Sequence, residues 1–387
     1  MPSAYNGGMK ADDLGASRPL VFPLYQTAVF TLPDLDALDR IYDEGAPGFI
    51  YARDAHPNAE ALAAEIARRE SARWAVVCGS GMSAITAAVL ACVQSGDRIL
   101  ASNRLYGRTL TLLFQELSRF GVEAAVVDIC DLDAVAHALE RPTRLLIVET
   151  LSNPLLRVAD VPGLADLCRR TECRLLVDNT FATPELFRPL EHGADLVVES
   201  LTKLMAGHSD VTLGVVSGNG DLEQTIRQTV SIWGLMGNPF DSWLAQRGLS
   251  TLSLRCRSAC DNAANLADWL AKQHGILRVV YPGRAEHPDH ELAKRLFQGH
   301  FGNMLCFELD GGREAVNAFL RRAIGIPFSP SLGHTHTTVS HPATTSHRYV
   351  SPAERRRQGI TDGLLRLSVG FEPIEQIKAA LAAGLGQ

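Results

Sequence analysis

Six short runs, each apolar almost throughout, constrain this chain more than any other feature. They are Ala75-Val76-Val77-Cys78, Arg98-Ile99-Leu100-Ala101, Ala124-Ala125-Val126-Val127, Arg144-Leu145-Leu146-Ile147-Val148, Arg174-Leu175-Leu176-Val177 and Asp195-Leu196-Val197-Val198. A run without polar alternation buries both faces of a strand. Helical patterns lie between them, at about 82–93, 109–120 and 161–170, with another at 59–69 ahead of the first run. Such strands alternating with helices predict an α/β fold: a mostly parallel sheet covered by helices on both sides. Ligands in such sheets bind beyond the carboxyl ends of the strands. The residues just after each run are therefore the candidates for chemistry.

The pattern changes near residue 250. A long helix at 252–271 precedes strands at 277–281, 304–309 and 364–369 and a final helix, which together read as a smaller α+β domain. Ser351-Pro352-Ala353-Glu354 opens a short helix with Ser351 as N-cap and Glu354 closing a capping box. Arg355-Arg356-Arg357 inside it reads as a solvated face. The first 55 residues, punctuated by Pro19, Pro23, Pro33 and Pro47, read as an irregular arm that needs another surface to lie on. The expected division is an arm at 1–55, a large domain at 56–250 and a small domain at 251–387.

The sixth run leads into Glu199-Ser200-Leu201-Thr202-Lys203-Leu204. A lysine at the end of a buried strand is partly desolvated, which lowers its pKa and frees its amine to form a Schiff base. Ser200 and Thr202 flank it with hydroxyls able to bind a phosphate. Lysine plus phosphate donors is what pyridoxal phosphate (PLP) requires, although the same segment also fits a surface lysine ending an ordinary strand. After the first run, Gly79-Ser80-Gly81-Met82 opens a helix whose free amides and dipole suit a phosphate dianion, or simply a tight turn. Asp178 ends the fifth run, where it can pair with a protonated pyridine nitrogen or cap the following turn. Tyr106 can stack on a flat ring or fill the core. Asn153 can hydrogen-bond the ring's phenolic oxygen, or serve the Asn-Pro turn. In order on consecutive strands, these residues describe one PLP pocket.

Composition narrows the partners. The chain has 387 residues, 46% of them hydrophobic, which is enough for a large core and two domains. The formal net charge is -6 and no long basic block occurs, which argues against nucleic acid and anionic membrane surfaces. No apolar stretch is long enough to span a bilayer. Met1-Pro2-Ser3-Ala4-Tyr5 lacks the basic-then-apolar order of a secretory signal. The eight cysteines form no CxxC pair and sit mostly in apolar runs, as reduced buried thiols do. The expectation is a cytoplasmic protein. His334, His336, His341 and His347 do not follow a standard zinc spacing, so no metal is expected.

Further motifs extend the pattern: Pro23-Leu24-Tyr25-Gln26-Thr27, Tyr51-Ala52-Arg53, Val177-Asp178-Asn179-Thr180-Phe181, Trp243-Leu244-Ala245-Gln246-Arg247-Gly248-Leu249 and Arg366-Leu367-Ser368-Val369-Gly370. Over nearly its whole length the chain resembles the cysteine/methionine-metabolism (trans-sulfuration) family of PLP-dependent enzymes. This family includes methionine γ-lyase, cystathionine γ-lyase, cystathionine γ-synthase and homoserine-ester sulfhydrylases. The resemblance implies the PLP-dependent transferase fold of type I. It implies that Lys203 binds the cofactor covalently and moves protons, that Asp178 holds the pyridine nitrogen, and that Tyr106 stacks on the ring and assists in acid–base steps. It implies that Gly81, Met82, Ser200 and Thr202 hold the phosphate. Tyr51 and Arg53 would reach the phosphate of a neighbouring subunit, so the active unit is at least a homodimer, and members are commonly tetramers. Arg366 would grip the α-carboxylate of an amino-acid substrate, with Ser331 and Asn153 nearby.

The implied reaction is α,γ-elimination on a γ-substituted amino acid of methionine or homocysteine type, giving an α-keto acid, ammonia and the leaving group. The alternative is γ-replacement, as in a cystathionine γ-synthase or an O-acyl-homoserine sulfhydrylase, since both use the same residues. Several positions depart from the family pattern. In Ser331-Leu332-Gly333-His334-Thr335-His336, His336 stands where members that handle cystathionine carry glutamate. Arg108 stands where methionine γ-lyases typically carry cysteine. Leu204 replaces the tyrosine usual after the lysine, and His56 replaces an asparagine. Arg108 and His336 are expected to shape a polar distal pocket. Arg108 would then favour an acidic or oxygen-rich γ-substituent such as a homoserine ester.

Overall fold

A computed structural model describes residues 17–297 and 299–387. Residues 1–16 of the expected arm, and Gln298, lie outside the described residues. Seven strands form the larger sheet: β1 (Trp74–Cys78), β2 (Arg98–Ser102), β3 (Glu123–Val127), β4 (Leu145–Glu149), β5 (Arg174–Asp178), β6 (Leu196–Glu199) and β7 (Gly214–Gly218). Their order is β1-β7-β6-β5-β4-β2-β3. Strands β2 to β6 run parallel, and β7 runs antiparallel to both of its neighbours. The sequence pattern leaves β7 out. Its apolar content is only Val215 and Val216, and glycines bound it on both sides.

Alternate residues of the central strands face opposite layers. Leu146, Val148, Leu175 and Val177 pack with Leu164, Ala165 and Cys168 of the helix Val161–Arg170. Leu145, Ile147, Leu176 and Val198 pack with Ala84, Ala88 and Val89 of the helix Gly81–Cys92. This two-sided burial is why those runs show no polar alternation. Within 109–120 the single expected helix is divided. An α-turn at Gly107–Thr111 passes through a π-turn at Leu112–Glu116 into a 3-10 turn at Leu117–Phe120. Leu113 and Leu117 still face the core.

The smaller sheet contains β8 (Ile276–Val280), β9 (Met304–Leu309), β10 (Thr338–Ser340) and β11 (Leu364–Ser368), in the order β10-β11-β9-β8 and antiparallel throughout. Leu305, Phe307, Leu365 and Leu367 bury one face of it against Ala263, Leu266 and Leu270 of the helix Leu252–Leu270. The first turns of that same helix supply Leu252 and Cys256 to the core beneath the larger sheet, so one helix ties the two sheets together. We propose the boundaries 56–250 and 251–387 for the two domains because the sheets share no strand. Every cysteine is a free thiol, and all but Cys130 are buried. No described helix is long and apolar enough to cross a membrane.

Phe307 is fully buried on β9 and meets Phe319 edge-on, with ring centroids 5.5 Å apart. Replacing Phe307 with alanine should cost about 3–5 kcal/mol of unfolding free energy, read from the urea midpoint. A loss under about 1 kcal/mol would contradict this packing.

Candidate active site

Three adjacent parallel strands end in carboxyl groups: β4 in Glu149, β5 in Asp178 and β6 in Glu199. The register sets Glu149 beside Asp178. A cavity of about 750 Å³ opens over these ends, and all three acids line its floor. None of them is at its ordinary pKa. Burial raises Asp178 against the hydrogen bonds from Thr180 that favour its charge. Burial, and then the neighbouring Asp178, push Glu149 up to about 8. Burial, and then Glu70, hold Glu199 well above the carboxylate range. Glu70 itself is pushed up to about 7, chiefly by burial. Like charges this close and this dry cannot all ionise together.

Beyond β6 the chain makes a turn that carries Lys203 into the cavity. Its amine lies 3.0 Å from the Ser331 hydroxyl. Burial lowers its pKa, and the positive charge of Arg366 adds to the effect. The turn is held from below by Arg255, which is 6% exposed. Its guanidinium donates to the carbonyls of Leu204 (2.7 Å), Met205 (2.9 Å) and Gly248 (2.8 Å). The loop bearing Ser331 is held in turn by Gly333, whose amide donates to Ser368 Oγ at 2.8 Å. Gly333 has a φ of +78°, and a Cβ there would lie 2.4 Å from the Leu204 amide. Only glycine satisfies both constraints.

Arg366 projects from β11 and is 3% exposed. It donates to Asn153 Oδ1 at 2.6 Å and to the Ser331 carbonyl at 3.1 Å. Its Nε has no partner, and burial pulls its pKa down to about 10. Among the described residues no carboxylate pairs with it. A buried guanidinium in that state is a ready receptor for an incoming carboxylate.

On the opposite wall, Ser80 caps the helix Gly81–Cys92 by accepting from the Ser83 amide. The Gly81 and Met82 amides are left without intrahelical acceptors. Gly81 abuts Ser200, and a Cβ on Gly81 would come within 2.8 Å of the Ser200 Cβ. Thr202 also lines the cavity, with its hydroxyl bonded to Leu213 O and N at 3.2 and 3.1 Å. Tyr106 presents a half-exposed ring to the cavity, and its amide is fixed by Glu149 Oε1 at 2.7 Å. Arg108 lies at the mouth.

Three expected residues stand apart from this cavity. Tyr51 and Arg53 are exposed on the arm, the guanidinium lying over the ring at 5.1 Å, and neither lines the cavity of its own chain. His336 is exposed, bonds Thr335 Oγ1 at 2.8 Å and does not shape the distal wall. The loop turns at Gly333, which points Ser331 inward and leaves His336 outside. His341 and His347 bond Thr344 and Ser346 respectively. No group of three or more metal-ligating side chains converges among the described residues.

The cavity offers free helix amides for a dianion, a buried carboxyl at a strand end, an aromatic face and a dry amine. A phosphorylated ring with a basic nitrogen and an aldehyde answers each of these features, so the residues fit PLP. The family model described as Cys/Met metabolism PLP-dependent enzyme matches residues 3–386. The chain belongs to that family. It is therefore a PLP-dependent enzyme of the γ-lyase and trans-sulfuration group. An L-methionine gamma-lyase of Fusobacterium nucleatum subsp. polymorphum is 39% identical over 95% of this chain and 93% of its own. An O-succinylhomoserine sulfhydrylase of Pseudomonas aeruginosa is 40% identical over 90% of this chain and 86% of its own. A cystathionine gamma synthase structure from Xanthomonas oryzae pv. oryzae superposes with a TM-score of 0.90 at 34% identity, covering 98% of this chain and 96% of that one.

Sequence reasoning passed over four residues of this PLP site and its surroundings. Glu149 and Glu199 looked like strand ends, and Glu70 like a helix terminus. Arg255 did carry a signal, since it shares the apolar face of its helix with Leu252, Cys256 and Ala259.

Glu149 supplies a pH test. The folded chain holds its proton up to about pH 8, whereas the unfolded chain loses it near 4.5. Glu149 therefore contributes stability that is complete below about pH 4.5 and is lost as the pH rises to about 8. In PLP-free protein, Glu149→Gln should flatten the fall of the urea midpoint across that range. Equal slopes in the two proteins would contradict the burial of an isolated proton there.

Proposed function

We propose that this enzyme carries out α,γ-elimination on a γ-substituted amino acid of methionine or homocysteine type, releasing an α-keto acid, ammonia and the γ-substituent. The observation that carries this reading is the pairing, in one cavity, of the depressed Lys203 amine with the Arg366 guanidinium, which among the described residues has no carboxylate partner. Arg366 receives the substrate α-carboxylate in a two-pronged grip, with Asn153 and the Ser331 carbonyl fixing the fork. That grip places Cα toward Lys203 Nζ. A neutral amine can take the α-proton, and burial followed by the charge of Arg366 shifts Lys203 toward that neutral form. Bound PLP supplies the electron sink that makes the α-proton acidic.

In this proposal Asp178 pairs with the pyridine nitrogen, and Tyr106 covers the ring and shares the acid–base work. The Gly81 and Met82 amides with Ser200 and Thr202 hold the phosphate, and Thr202 does so by turning its hydroxyl from Leu213. Tyr51 and Arg53, exposed on the arm, complete the phosphate site of a neighbouring subunit in a homodimer or homotetramer. The free buried thiols agree with residence in the cytoplasm. Elimination is preferred over a cystathionine reaction because the cavity's acids all lie on its floor. Among the described residues nothing anionic at the mouth meets a distal ammonium, and His336 does not line the cavity.

γ-Replacement is the second reading. The 40% identical relative named as a sulfhydrylase supports it, as does a cavity roomy enough for an acceptor thiol. The PLP-loaded enzyme should release α-keto acid from methionine, homocysteine, cysteine, canavanine, cystathionine or homoserine esters without added thiol. If added thiol gives thioether faster than keto acid forms, replacement is the reaction. Arg366→Lys should raise KM on the order of ten- to a hundredfold, because an ammonium cannot reproduce the fork. An unaltered KM would remove Arg366 from the carboxylate site.

A further inference from the structure

The reaction read above has no part for one buried acid pair, Glu70 and Glu199. Glu70 ends the helix Pro57–Glu70, and Glu199 ends β6. They are 0% and 1% exposed and hydrogen-bond each other. Arg188, the cation that acts on Glu70, is half exposed and pairs with Glu191 at 3.4 Å. Asp178 adds a like charge beside Glu199. Among the described residues no N–H or hydroxyl reaches Glu70 Oε2 or either oxygen of Glu199. The bond between the two acids must therefore take its proton from one of them. Two carboxylates have no proton to donate and would repel each other in so buried a place. Their neighbours decide which acid keeps the proton. Asn179 Nδ2 donates to Glu70 Oε1 at 3.2 Å, which favours charge on Glu70. Glu199 receives no such donor and faces Asp178, which favours its neutral form.

The pair also joins the two strand ends beneath the cofactor cavity. Asn179 follows Asp178, and its side chain is fixed by Glu70, by the Phe187 carbonyl at 2.9 Å and by the Thr150 hydroxyl at 2.7 Å. Glu199 precedes Ser200, whose amide donates to Thr180 Oγ1 at 2.9 Å. The Thr180 amide in turn donates to Asp178 Oδ1 at 3.0 Å. Glu199 lines the cavity and Glu70 does not. A charge on Glu70 is thus kept behind Asn179, away from the cavity floor. We infer that Glu199 is a positioning residue held as a neutral acid, which donates a hydrogen bond to the Glu70 carboxylate. It fixes the ends of β5 and β6 against each other and leaves Asp178 without a rival anion from β6 at the ring nitrogen. The inference rests on the reading above that Asp178 pairs with that nitrogen.

The test uses Glu199→Gln, Glu199→Ala and Glu70→Gln. Infrared difference spectra are taken between PLP-free wild type and each variant, above the Glu149 value of about 8. Wild type should show the carbonyl band of a protonated carboxylic acid that Glu199→Gln lacks. Glu70→Gln should keep that band at a shifted frequency, since an amide accepts more weakly than a carboxylate. PLP affinity and the pH midpoint of the bound cofactor's absorbance are then read in the loaded proteins. Glu199→Ala leaves Glu70 charged and unpaired, so PLP should bind on the order of tenfold more weakly and the midpoint should move. Glu199→Leu replaces the alanine variant if that does not fold. Glu199→Gln, whose amide can still donate to Glu70, should restore most of both. No band in the wild-type difference, or a band lost in Glu70→Gln, would overturn the neutral Glu199. Full affinity with an unmoved midpoint in Glu199→Ala, or no rescue by Glu199→Gln, would overturn its positioning role. If Asp178→Asn leaves the cofactor's absorbance and affinity unaltered, the reading of Asp178 fails, and the infrared band still decides the state of Glu199.

Discussion

The site depends on how the turn at Lys203 is clasped. From one side Arg255 takes three backbone carbonyls, two of them from the residues just after the lysine. From the other, the loop of Ser331 and Gly333 presses against the same turn and offers a hydroxyl to the amine. Arg255 is on the helix shared by both cores, and the loop leads into the smaller sheet. The amine is therefore fixed by the junction of the two sheets, and neither sheet alone would place it. Charge-assisted bonds to three carbonyls, made where little water reaches, hold the turn against the loss of chain entropy that it carries.

The same junction isolates charge. Arg366 is buried between the sheets with its Nε unpaired and, among the described residues, no carboxylate against it, and its field adds to the desolvation that depresses Lys203. Below them the acids at the strand ends compete for protons because burial disfavours the charged form of each. A substrate carboxylate and a protonated ring nitrogen would each neutralise one of these uncompensated groups. The protein thus holds in advance polar groups that are costly unpaired and favourable once paired, which is how binding sites hold preorganised polar groups.

Much of this was legible in the chain. Runs such as Leu145-Leu146-Ile147-Val148 announce a strand buried on both faces, and the residues at the carboxyl ends of such strands locate the cavity. Lys203, Asp178, Asn153 and Arg366 were found by that rule and by family resemblance. The antiparallel β7 was hidden because its glycines suppress the apolar signal. His336 looked like a pocket residue because it stands where related enzymes that handle cystathionine carry glutamate. The turn at Gly333, a three-dimensional fact, sends it outward. The acid pair Glu70 and Glu199 joins residues far apart in sequence, and no local pattern marks such a contact. Arg255 was visible in principle as a charge on an apolar helical face, and a rule asking what each such charge holds would have found it.

The central claim is that the clasped amine of Lys203 is the point of covalent attachment for PLP. The most direct measurement is borohydride reduction of the PLP-loaded enzyme, followed by peptide mapping by mass spectrometry. The account predicts one reduced pyridoxyl phosphate group per chain, on the peptide containing Lys203. Attachment at Lys10, Lys272, Lys294 or Lys378, or no attachment in enzyme that retains the cofactor, would contradict it.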